Sequence, residues 1–203
     1  MSKTNIKQRI ILASASPRRR EILSSMGVDF TVICADADEQ SDIKDPPSLT
    51  RELALKKGAA VHSMLVNRGE AENTIIISAD TVVECGGEIL GKPHDEQDAL
   101  RMIKMLSGRA HTVTTGIAVI VDGKTYTDHS TTQVRVDNIP DSEIRAYIET
   151  EKPYDKAGAY GIQGSFSKWI SGIDGCYFGV VGLPVNCLCK LFFKATGKYP
   201  DQI

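Results

Sequence analysis

The chain has 203 residues, of which 41% are hydrophobic and 25% are charged, and these proportions are typical of a folded globular protein with a substantial core. The formal net charge of -2 at pH 7 excludes binding of nucleic acid through bulk positive charge, so any anion site must be built locally. The longest apolar runs are far shorter than a membrane span, so we expect no membrane association.

The cysteines favour a reducing compartment. Five are present, at positions 34, 85, 176, 187 and 189, which is an odd number without the spacing of a metal site. No signal peptide precedes the first predicted strand, so we expect reduced thiols in a cytoplasmic protein. We predict a single domain over residues 1–203, with a short polar leader at residues 1–8.

The first predicted unit is a strand, a tight loop and a helix. Residues 9–13 form an apolar run of strand length. Ser16 is a suitable N-cap, Pro17 favours the first helical position, and Gly27 is a typical helix stop. A second strand is predicted at residues 30–34.

A long helix and a hairpin follow an acidic segment. The helix is predicted from Pro46 to about residue 66, and it carries Lys57. The run TIIISADTVV is typical of a buried strand that holds Asp80, and EILGKP returns beside it after a Gly-Gly pair. A three-residue turn pairs apolar with apolar side chains and places Asp80 opposite Lys92. A two-residue turn would instead place Lys92 opposite Thr81.

The remaining elements complete an α/β pattern. Two β-rich runs within residues 111–136 flank Asp122 and Gly123, which is a strong hairpin signal. Further helices are predicted at residues 95–106, 141–150 and 184–196. Strands that alternate with helices, together with the antiparallel hairpin, predict an α/β fold. We expect a mixed twisted sheet flanked by helices, with two lobes around a central cleft.

Three consecutive arginines follow the predicted N-cap. Cations in the first turn of a helix oppose its macrodipole by roughly 0.3–1 kcal/mol each, and this cost reverses when an anion binds there. Arg18 and Arg19 would then complete a phosphate cradle, to which the hydroxyls of Ser14 and Ser16 add donors. The alternative is a solvated basic helix face. Helical geometry points Arg20 elsewhere.

Acidic residues are candidates for a general base and for metal ligands. Asp80 follows an apolar run at the carboxyl edge of the predicted sheet, where open α/β proteins place their sites. It could bind a divalent ion or accept a proton from water, or it could cap a turn. Asp36, Asp38 and Glu39 offer oxygen ligands suited to Mg²⁺ or Mn²⁺, with Glu39 the first candidate. The alternative is a solvated acidic loop.

Common covalent and P-loop signatures are absent from the sequence. It contains no G-x-S-x-G elbow, no Cys-His signature and no G-x-x-x-x-G-K-[ST] loop. The histidines show no ligand pairing, and His111 is predicted to be structural. The tract DKAGAYGIQG is either a turn-rich linker or backbone close to a ligand, where the Gln163 amide would suit a pyrimidine edge.

Six motifs resemble those of the Maf family of nucleotide pyrophosphatases, in the order LASASPRRREIL, SADTVV, GKP, SGRAHTVTTG, DKAGAYGIQG and VVGLPV. The resemblance covers residues 10–194. It implies hydrolysis of a nucleoside triphosphate between the α and β phosphates, giving a nucleoside monophosphate and pyrophosphate, with Mg²⁺ or Mn²⁺ as cofactor. It also implies an α/β fold similar to that of the inosine triphosphate pyrophosphatases.

The resemblance also implies roles for individual residues. Asp80 matches the catalytic acid of the family and is a metal ligand candidate with Glu39. The triphosphate is expected to contact Ser14, Arg18, Arg19, Lys57 and Lys92. The chain resembles the subgroup that acts on dTTP and UTP at three positions associated with base choice, which are Arg18, Thr81 and Gln163. Modified pyrimidine nucleotides are further candidates. The chain departs from the family at Gly58, where alanine is more common.

Two other functions stay open at this point. One is a regulator of cell division that binds nucleotide or nucleic acid without catalysis, although the negative net charge argues against stable binding of nucleic acid. The other is a pyrophosphatase for non-standard purine triphosphates. The apolar C-terminal helix could pack in the core or against a second copy, so a homodimer is also left open.

Overall fold

The apolar runs of the chain form one mixed sheet in the computed structural model, which describes residues 8–203. The described residues contribute seven strands: β1 (Arg9–Leu12), β2 (Phe30–Val32), β3 (Thr74–Cys85), β4 (Glu88–Leu90), β5 (Ala110–Val121), β6 (Lys124–Val136) and β7 (Ile170–Asp174). Their order is β2-β1-β3-β5-β6-β7, with β4 paired to β3. β1 runs parallel to β2 and to the first part of β3, and the other pairings are antiparallel.

Helices cover both faces of this sheet. The described α-helices are α1 (Pro17–Ser25), α2 (Pro46–Asn67), α3 (Glu96–Leu106), α4 (Asp141–Glu151), α5 (Tyr177–Val181) and α6 (Val185–Thr196). Short 3-10 helices lie at Ala157–Ala159, Gly164–Trp169 and Pro200–Gln202. The expected α/β architecture, a mixed sheet flanked by helices, is confirmed.

Alternate side chains of the central strands face two different helix layers. Ile75 and Ile77 of β3 belong to the larger core, which includes residues of every α-helix except α2. Ile76 lies in a separate cluster with Val61 and Leu65 of α2. Because both faces of the sheet are covered here, residues 10–12 of β1 and 75–77 of β3 are continuous apolar runs without polar alternation.

Two glycines let α2 lie close to the sheet. A Cβ on Gly116 of β5 would overlap the backbone of α2 and lie 2.5 Å from the nitrogen of Arg51. Within α2, a Cβ on Gly58 would lie 2.7 Å from the Ser78 hydroxyl, which donates to the Ala54 carbonyl at 2.6 Å. Gly58, which stands where the family more often has alanine, therefore leaves room for the hydroxyl of Ser78.

The opening beside β1 is a consequence of strand topology. The backbone nitrogen of Ala13 donates to the Ile77 carbonyl at 2.8 Å, and β1 then gives way to the loop that begins at Ser14. β3 continues beyond this point, paired with β5 through Asp80 and as far as Glu84. β1 therefore leaves β3 just before Asp80, whereas β5 stays paired with β3. Open α/β folds place their ligands where neighbouring strands diverge in this way.

Most predicted elements are confirmed to within two residues of their ends. The three helices predicted after residue 90 are α3, α4 and α6, and Asp122 and Gly123 form the turn between β5 and β6. Ser16 is the N-cap of α1, although its side chain makes no capping hydrogen bond. The second strand is shorter than predicted because β2 ends at Val32. β7 and α5 were not predicted. The similarity to inosine triphosphate pyrophosphatases stays a prediction, as does the single domain.

The preferred register of the β3–β4 hairpin is wrong. The pairing of residues 83 and 90 leaves a two-residue turn at residues 86–87, where both glycines have positive φ angles of 61° and 84°. A turn with positive φ at both central residues matches the twist of the flanking strands, and glycine adopts it without strain. Lys92 is therefore not opposite Asp80, and the alternative two-residue turn is the observed one.

Among residues 8–203, no helix combines the length and the apolar character needed to cross a membrane. The predicted polar leader, residues 1–8, lies almost entirely outside the described residues.

Candidate active site

A cavity of about 570 Å³ opens where β1 and β3 diverge. Its walls come from distant parts of the chain, including the loop before α1, the segment 34–39, helix α2, the segment 155–163 and the residues around Gly182. Nine of the candidate site residues line this cavity: Ser14, Arg18, Arg19, Glu39, Lys57, Asp80, Thr81, Lys92 and Gln163. The other two acidic candidates, Asp36 and Asp38, are not among the residues that line it.

The centre of the cavity is an ion pair between Asp80 and Lys57. Lys57 Nζ lies 2.6 Å from Asp80 Oδ1 and 3.2 Å from Glu39 Oε2, so one ammonium group joins two carboxylates. The Asp80 side chain is 11% exposed and that of Lys57 is 19% exposed, whereas that of Glu39 is 56% exposed. Within the described part of the chain, no protein group bonds to the second carboxylate oxygen of Asp80.

Lys92 lies on the same cavity but does not pair with the acid predicted to face it. It is exposed, in the segment after β4, and Lys57 holds the position beside Asp80 instead. The hairpin register accounts for this difference, since Lys92 follows the end of β4 and is displaced by one residue from the predicted pairing. The cavity therefore has two lysines, one beside the buried acid and one at the surface.

The start of α1 presents donors to the cavity. The Ser14 hydroxyl accepts hydrogen bonds from the Ser16 nitrogen and from Arg19 NH1, both at 3.2 Å, so its own proton stays available. The backbone N–H groups of Arg18 and Arg19 lie in the first turn, where a helix has no internal acceptor for them. These groups form an arrangement that suits an anion.

The Arg18 side chain spans the cavity. Its NH1 atom lies 3.1 Å from Asp155 Oδ2, and Asp155 Oδ1 accepts from Lys156 Nζ at 2.7 Å. Although burial raises the pKa of Asp155, the bonds and charges of Lys156 and Arg18 together hold that pKa below its usual value. The guanidinium of Arg18, which was predicted to bind phosphate, is therefore already paired with the ionised carboxylate of Asp155.

Arg19 is fixed by protein acceptors. Its Nε donates to the Gly182 carbonyl at 2.8 Å, NH1 to Ser14 Oγ at 3.2 Å and NH2 to Thr81 Oγ1 at 3.1 Å. Burial lowers the pKa of Arg19, and the charge of Asp80 opposes that shift. The guanidinium stays charged because its ordinary pKa is far above neutrality.

Part of the cavity lining is apolar. Val83, Val113 and Ile162 belong to it, and the exposed Gln163 also lines the cavity. Tyr160, which also lines it, contacts the ring nitrogen Nε2 of His111 through its hydroxyl at 2.7 Å. Burial lowers the pKa of His111 to about 4, so the imidazole is neutral at pH 7, as expected of a structural histidine.

The carboxylates near Lys57 suit a metal that is shared with a substrate. Within residues 8–203, no group of three or more His, Cys, Asp or Glu residues could hold a metal ion by itself. Mg²⁺ is commonly held by one or two carboxylates together with substrate phosphates and water, so it does not need such a group. Asp80 and Glu39, on two sides of one ammonium, are a donor set of that kind.

Three participants were not predicted from the sequence. Asp155 belongs to the glycine-rich tract that was left as a linker or a ligand-binding backbone. Thr115, which bonds to Thr81 at 2.8 Å, follows Thr114 on a buried strand, and two adjacent threonines in an apolar run were the available signal. The carbonyl of Gly182 has no side-chain signal at all.

Comparison with known proteins identifies relatives over nearly the whole chain. The family model described as "Maf-like protein" matches residues 9–195. The chain is 45% identical over 182 residues to a dTTP/UTP pyrophosphatase of Thermococcus kodakarensis, which covers 90% of this chain and 94% of that one. It is 43% identical over 196 residues to a dTTP/UTP pyrophosphatase of Koribacter versatilis (96% and 98%) and 46% identical over 181 residues to one of Alkaliphilus oremlandii (88% and 91%).

Proposed function

The chain belongs to the Maf family, and from this premise we propose that it hydrolyses nucleoside triphosphates between the α and β phosphates, with dTTP and UTP as preferred substrates. The products would be a nucleoside monophosphate and pyrophosphate. The names of the similar proteins support this substrate choice. The observation that carries the proposal is the Lys57–Asp80 pair, which lies in one cavity with the cationic start of α1.

Asp80 is the proposed general base. Its Oδ1 is held by Lys57, so the second carboxylate oxygen can take a proton from water while the position of the side chain stays fixed. The water oxygen then attacks the α phosphorus, the bond from that phosphorus to the bridging oxygen breaks, and pyrophosphate leaves with the electron pair.

The cations of the cavity hold the triphosphate. Four cations that line the cavity come from three separate parts of the chain: Arg18 and Arg19 from α1, Lys57 from α2 and Lys92 from the segment after β4. They position the α phosphate and stabilise the charge that grows on the leaving pyrophosphate. Ser14 adds a hydroxyl donor.

A divalent ion, Mg²⁺ or Mn²⁺, would be held by Asp80 and Glu39 together with phosphate oxygens of the substrate. When bound, it supplies positive charge that stabilises the reacting phosphates. Lys57, which contacts both carboxylates, keeps them close together before the ion arrives.

The apolar part of the cavity lining would receive the base. Gln163 offers both a donor and an acceptor, which suits the carbonyl and N–H groups on the edge of thymine or uracil. Arg18 and Thr81 are further proposed determinants of base choice. Gln163→Ala is expected to reduce the ratio of dTTP to CTP hydrolysis, and an unchanged ratio would contradict this role.

The deciding experiment measures pyrophosphate release from purified protein. The triphosphates dTTP, UTP, CTP and ITP are each supplied with Mg²⁺, with Mn²⁺ and with a chelator. We expect pyrophosphate from dTTP and UTP in the presence of metal. No release from any triphosphate would refute the proposal, and release of inorganic phosphate with a nucleoside diphosphate would show cleavage at the other bond.

Asp80→Asn tests the base directly. The amide keeps the shape of the side chain but cannot accept the proton, so we expect the rate to fall by a factor on the order of 10² to 10⁴. Asp174→Asn removes an exposed carboxylate of β7 that does not line the cavity, and it should keep the parent rate. A fully active Asp80→Asn would exclude the role. Cytoplasmic location, a homodimer and the absence of nucleic-acid binding stay predictions.

A further inference from the structure

The carboxylate of Asp155 is held between two cations that line the cavity. Asp155 Oδ1 accepts from Lys156 Nζ at 2.7 Å, and Asp155 Oδ2 accepts from Arg18 NH1 at 3.1 Å. Each carboxylate oxygen therefore has its own positively charged donor. The two donors come from distant parts of the chain, since Arg18 and Asp155 are 137 residues apart.

The mechanism above gives no role to Lys156, although this residue also lines the cavity. Its side chain is 19% exposed, as is that of Lys57. An ammonium group has three N–H donors, and among the described residues Lys156 Nζ donates to Asp155 alone. A sheltered ammonium with unused donors at the wall of a cavity suits an anionic ligand.

The stem of Lys156 lies beside the backbone that leads to Gln163. A Cβ on Gly161 would lie 3.4 Å from both Cδ and Cε of Lys156, which is ordinary contact. Gly161 and Gln163 line the cavity as well. Lys156 thus contacts the segment that carries Gln163, and one carboxylate separates its ammonium from the guanidinium of Arg18.

The Asp155 carboxylate marks a position where an anion is stable. Carboxylates and phosphates are bound by the same donors, so a phosphate with two free oxygens can accept from Arg18 and from Lys156 together. The Asp155 side chain is 56% exposed, so it can turn from this position into solvent. Because the two cations repel each other when no anion lies between them, the ligand that replaces Asp155 must supply negative charge.

We propose that Arg18 and Lys156 form a subsite for one phosphate group of the triphosphate, and that Asp155 occupies this subsite until the substrate binds. The proposal rests on the function proposed above, and it adds Lys156 to the residues that contact the substrate. A phosphate group is common to dTTP, UTP and CTP. Lys156 therefore contributes to affinity for the phosphates and not to the choice of base.

Asp155→Asn provides the background in which Lys156 is tested. Lys156→Met keeps an unbranched stem beside Gly161 and removes the charge, but in the parent it also leaves Asp155 to pair with Arg18 alone. In Asp155→Asn, the competing carboxylate is gone. A lysine that acted only by holding Asp155 would then have no effect, whereas a lysine that contacts phosphate would keep its effect.

Calorimetric titration with inorganic tripolyphosphate in metal-free buffer measures the subsite without turnover. In the Asp155→Asn protein, we expect Lys156→Met to raise the Kd by about 5- to 20-fold, the effect of one lost hydrogen bond between charged groups in a partly exposed site. Lys156→Gln is a second variant that should give the same increase. With Mg²⁺ present, KM should rise by a similar factor for dTTP, UTP and CTP alike.

Lys168 supplies the matched control. Its side chain is 58% exposed, pairs with Glu143 at 2.6 Å and does not line the cavity. Lys168→Met removes the same charge and should leave the Kd of the Asp155→Asn protein unchanged. An unchanged Kd in Lys156→Met would overturn the proposal, as would an equal increase in Lys168→Met or an Asp155→Asn protein that binds no tripolyphosphate.

The subsite and the proposed function can fail separately. A parent that releases no pyrophosphate, but whose tripolyphosphate affinity depends on Lys156 as described, would refute the function and support the subsite. A parent that hydrolyses dTTP, with a KM that is independent of Lys156 in the Asp155→Asn background, would support the function and refute the subsite.

Discussion

The close contact of α2 with the sheet determines where Lys57 lies in the cavity. Adding one methyl group at Gly116 tests this dependence. Gly116 pairs with Asp80 across β5 and β3, and α2 carries Lys57, whose Nζ lies 2.6 Å from Asp80 Oδ1. In Gly116→Ala, the new Cβ would lie 2.5 Å from the backbone nitrogen of Arg51, whereas ordinary contact begins near 3.4 Å. Because a backbone atom cannot rotate away, α2 must move off the sheet by about 1 Å.

Two effects should follow from this displacement. Overpacking of this kind costs about 1–3 kcal/mol, which urea denaturation would measure as a lower free energy of unfolding. Lys57 moves with the helix, and a misplacement of about 1 Å at a reacting group reduces rates by up to roughly 10²-fold. We therefore expect Gly116→Ala to fold with reduced stability and to release pyrophosphate from dTTP at least about tenfold more slowly than the parent.

The second glycine of this interface provides the control. Gly58→Ala should also destabilise the protein, since its Cβ would lie 2.7 Å from Ser78 Oγ, but here the obstacle is a removable side chain. Gly58→Ala combined with Ser78→Ala should return to within about 1 kcal/mol of the parent, because alanine is the better helix former. No side-chain deletion can relieve Gly116→Ala. Parent-like stability and rate in Gly116→Ala would refute the described packing of α2.

Three further outcomes are expected. Asp155→Asn frees Arg18 from a half-exposed pair worth up to about 1 kcal/mol, so KM for dTTP should fall by up to about fivefold, and a higher KM would contradict the competition. Burial lowers the pKa of His111 to about 4 from an unfolded value of 6.5, so the unfolded chain binds the extra proton between these values and stability falls as the pH drops through that window. Urea unfolding should show a loss of about 2 kcal/mol from this group between about pH 7.5 and 5 that disappears in His111→Gln; equal losses in both proteins would exclude it. Glu39→Gln should raise the Mg²⁺ concentration for half-maximal rate, and an unchanged metal dependence would remove Glu39 as a ligand.

Regular periodicity and clear end signals made much of the fold predictable. Helix α3 begins after Asp95, whose side chain accepts from the Asp98 nitrogen at 2.8 Å, and α6 ends at Gly197 in the left-handed conformation. β7 and α5 lack such signals. Each has five residues, too few for a period to emerge, and β7 lies at the sheet edge with its side chains half-buried or exposed.

The sequence predicted which residues form the candidate site better than it predicted which of them contact one another. Motifs brought the expected residues to one cavity, but they did not identify which cation meets Asp80. The cation that pairs with Asp80 is determined by two features of tertiary geometry. One is the two-residue turn before Lys92, and the other is the close packing of α2, which carries Lys57, against the sheet. The partnership of Arg18 with Asp155 joins segments 137 residues apart, and no local pattern reports it.

Two cations of the cavity, Lys57 and Arg18, carry their own counter-ions, and this changes how a polyanion would enter. Lys57 is paired with two carboxylates and Arg18 with Asp155, so an incoming triphosphate would exchange with Asp155 at Arg18 while Lys57 stays bonded to Asp80. Association by such ion exchange depends less on ionic strength than capture by an unbalanced basic surface, because paired charges produce a weaker long-range field than unpaired ones. The cleft thus selects ligands that outcompete its own carboxylates at close range, which favours the dense charge of a triphosphate over that of a monophosphate.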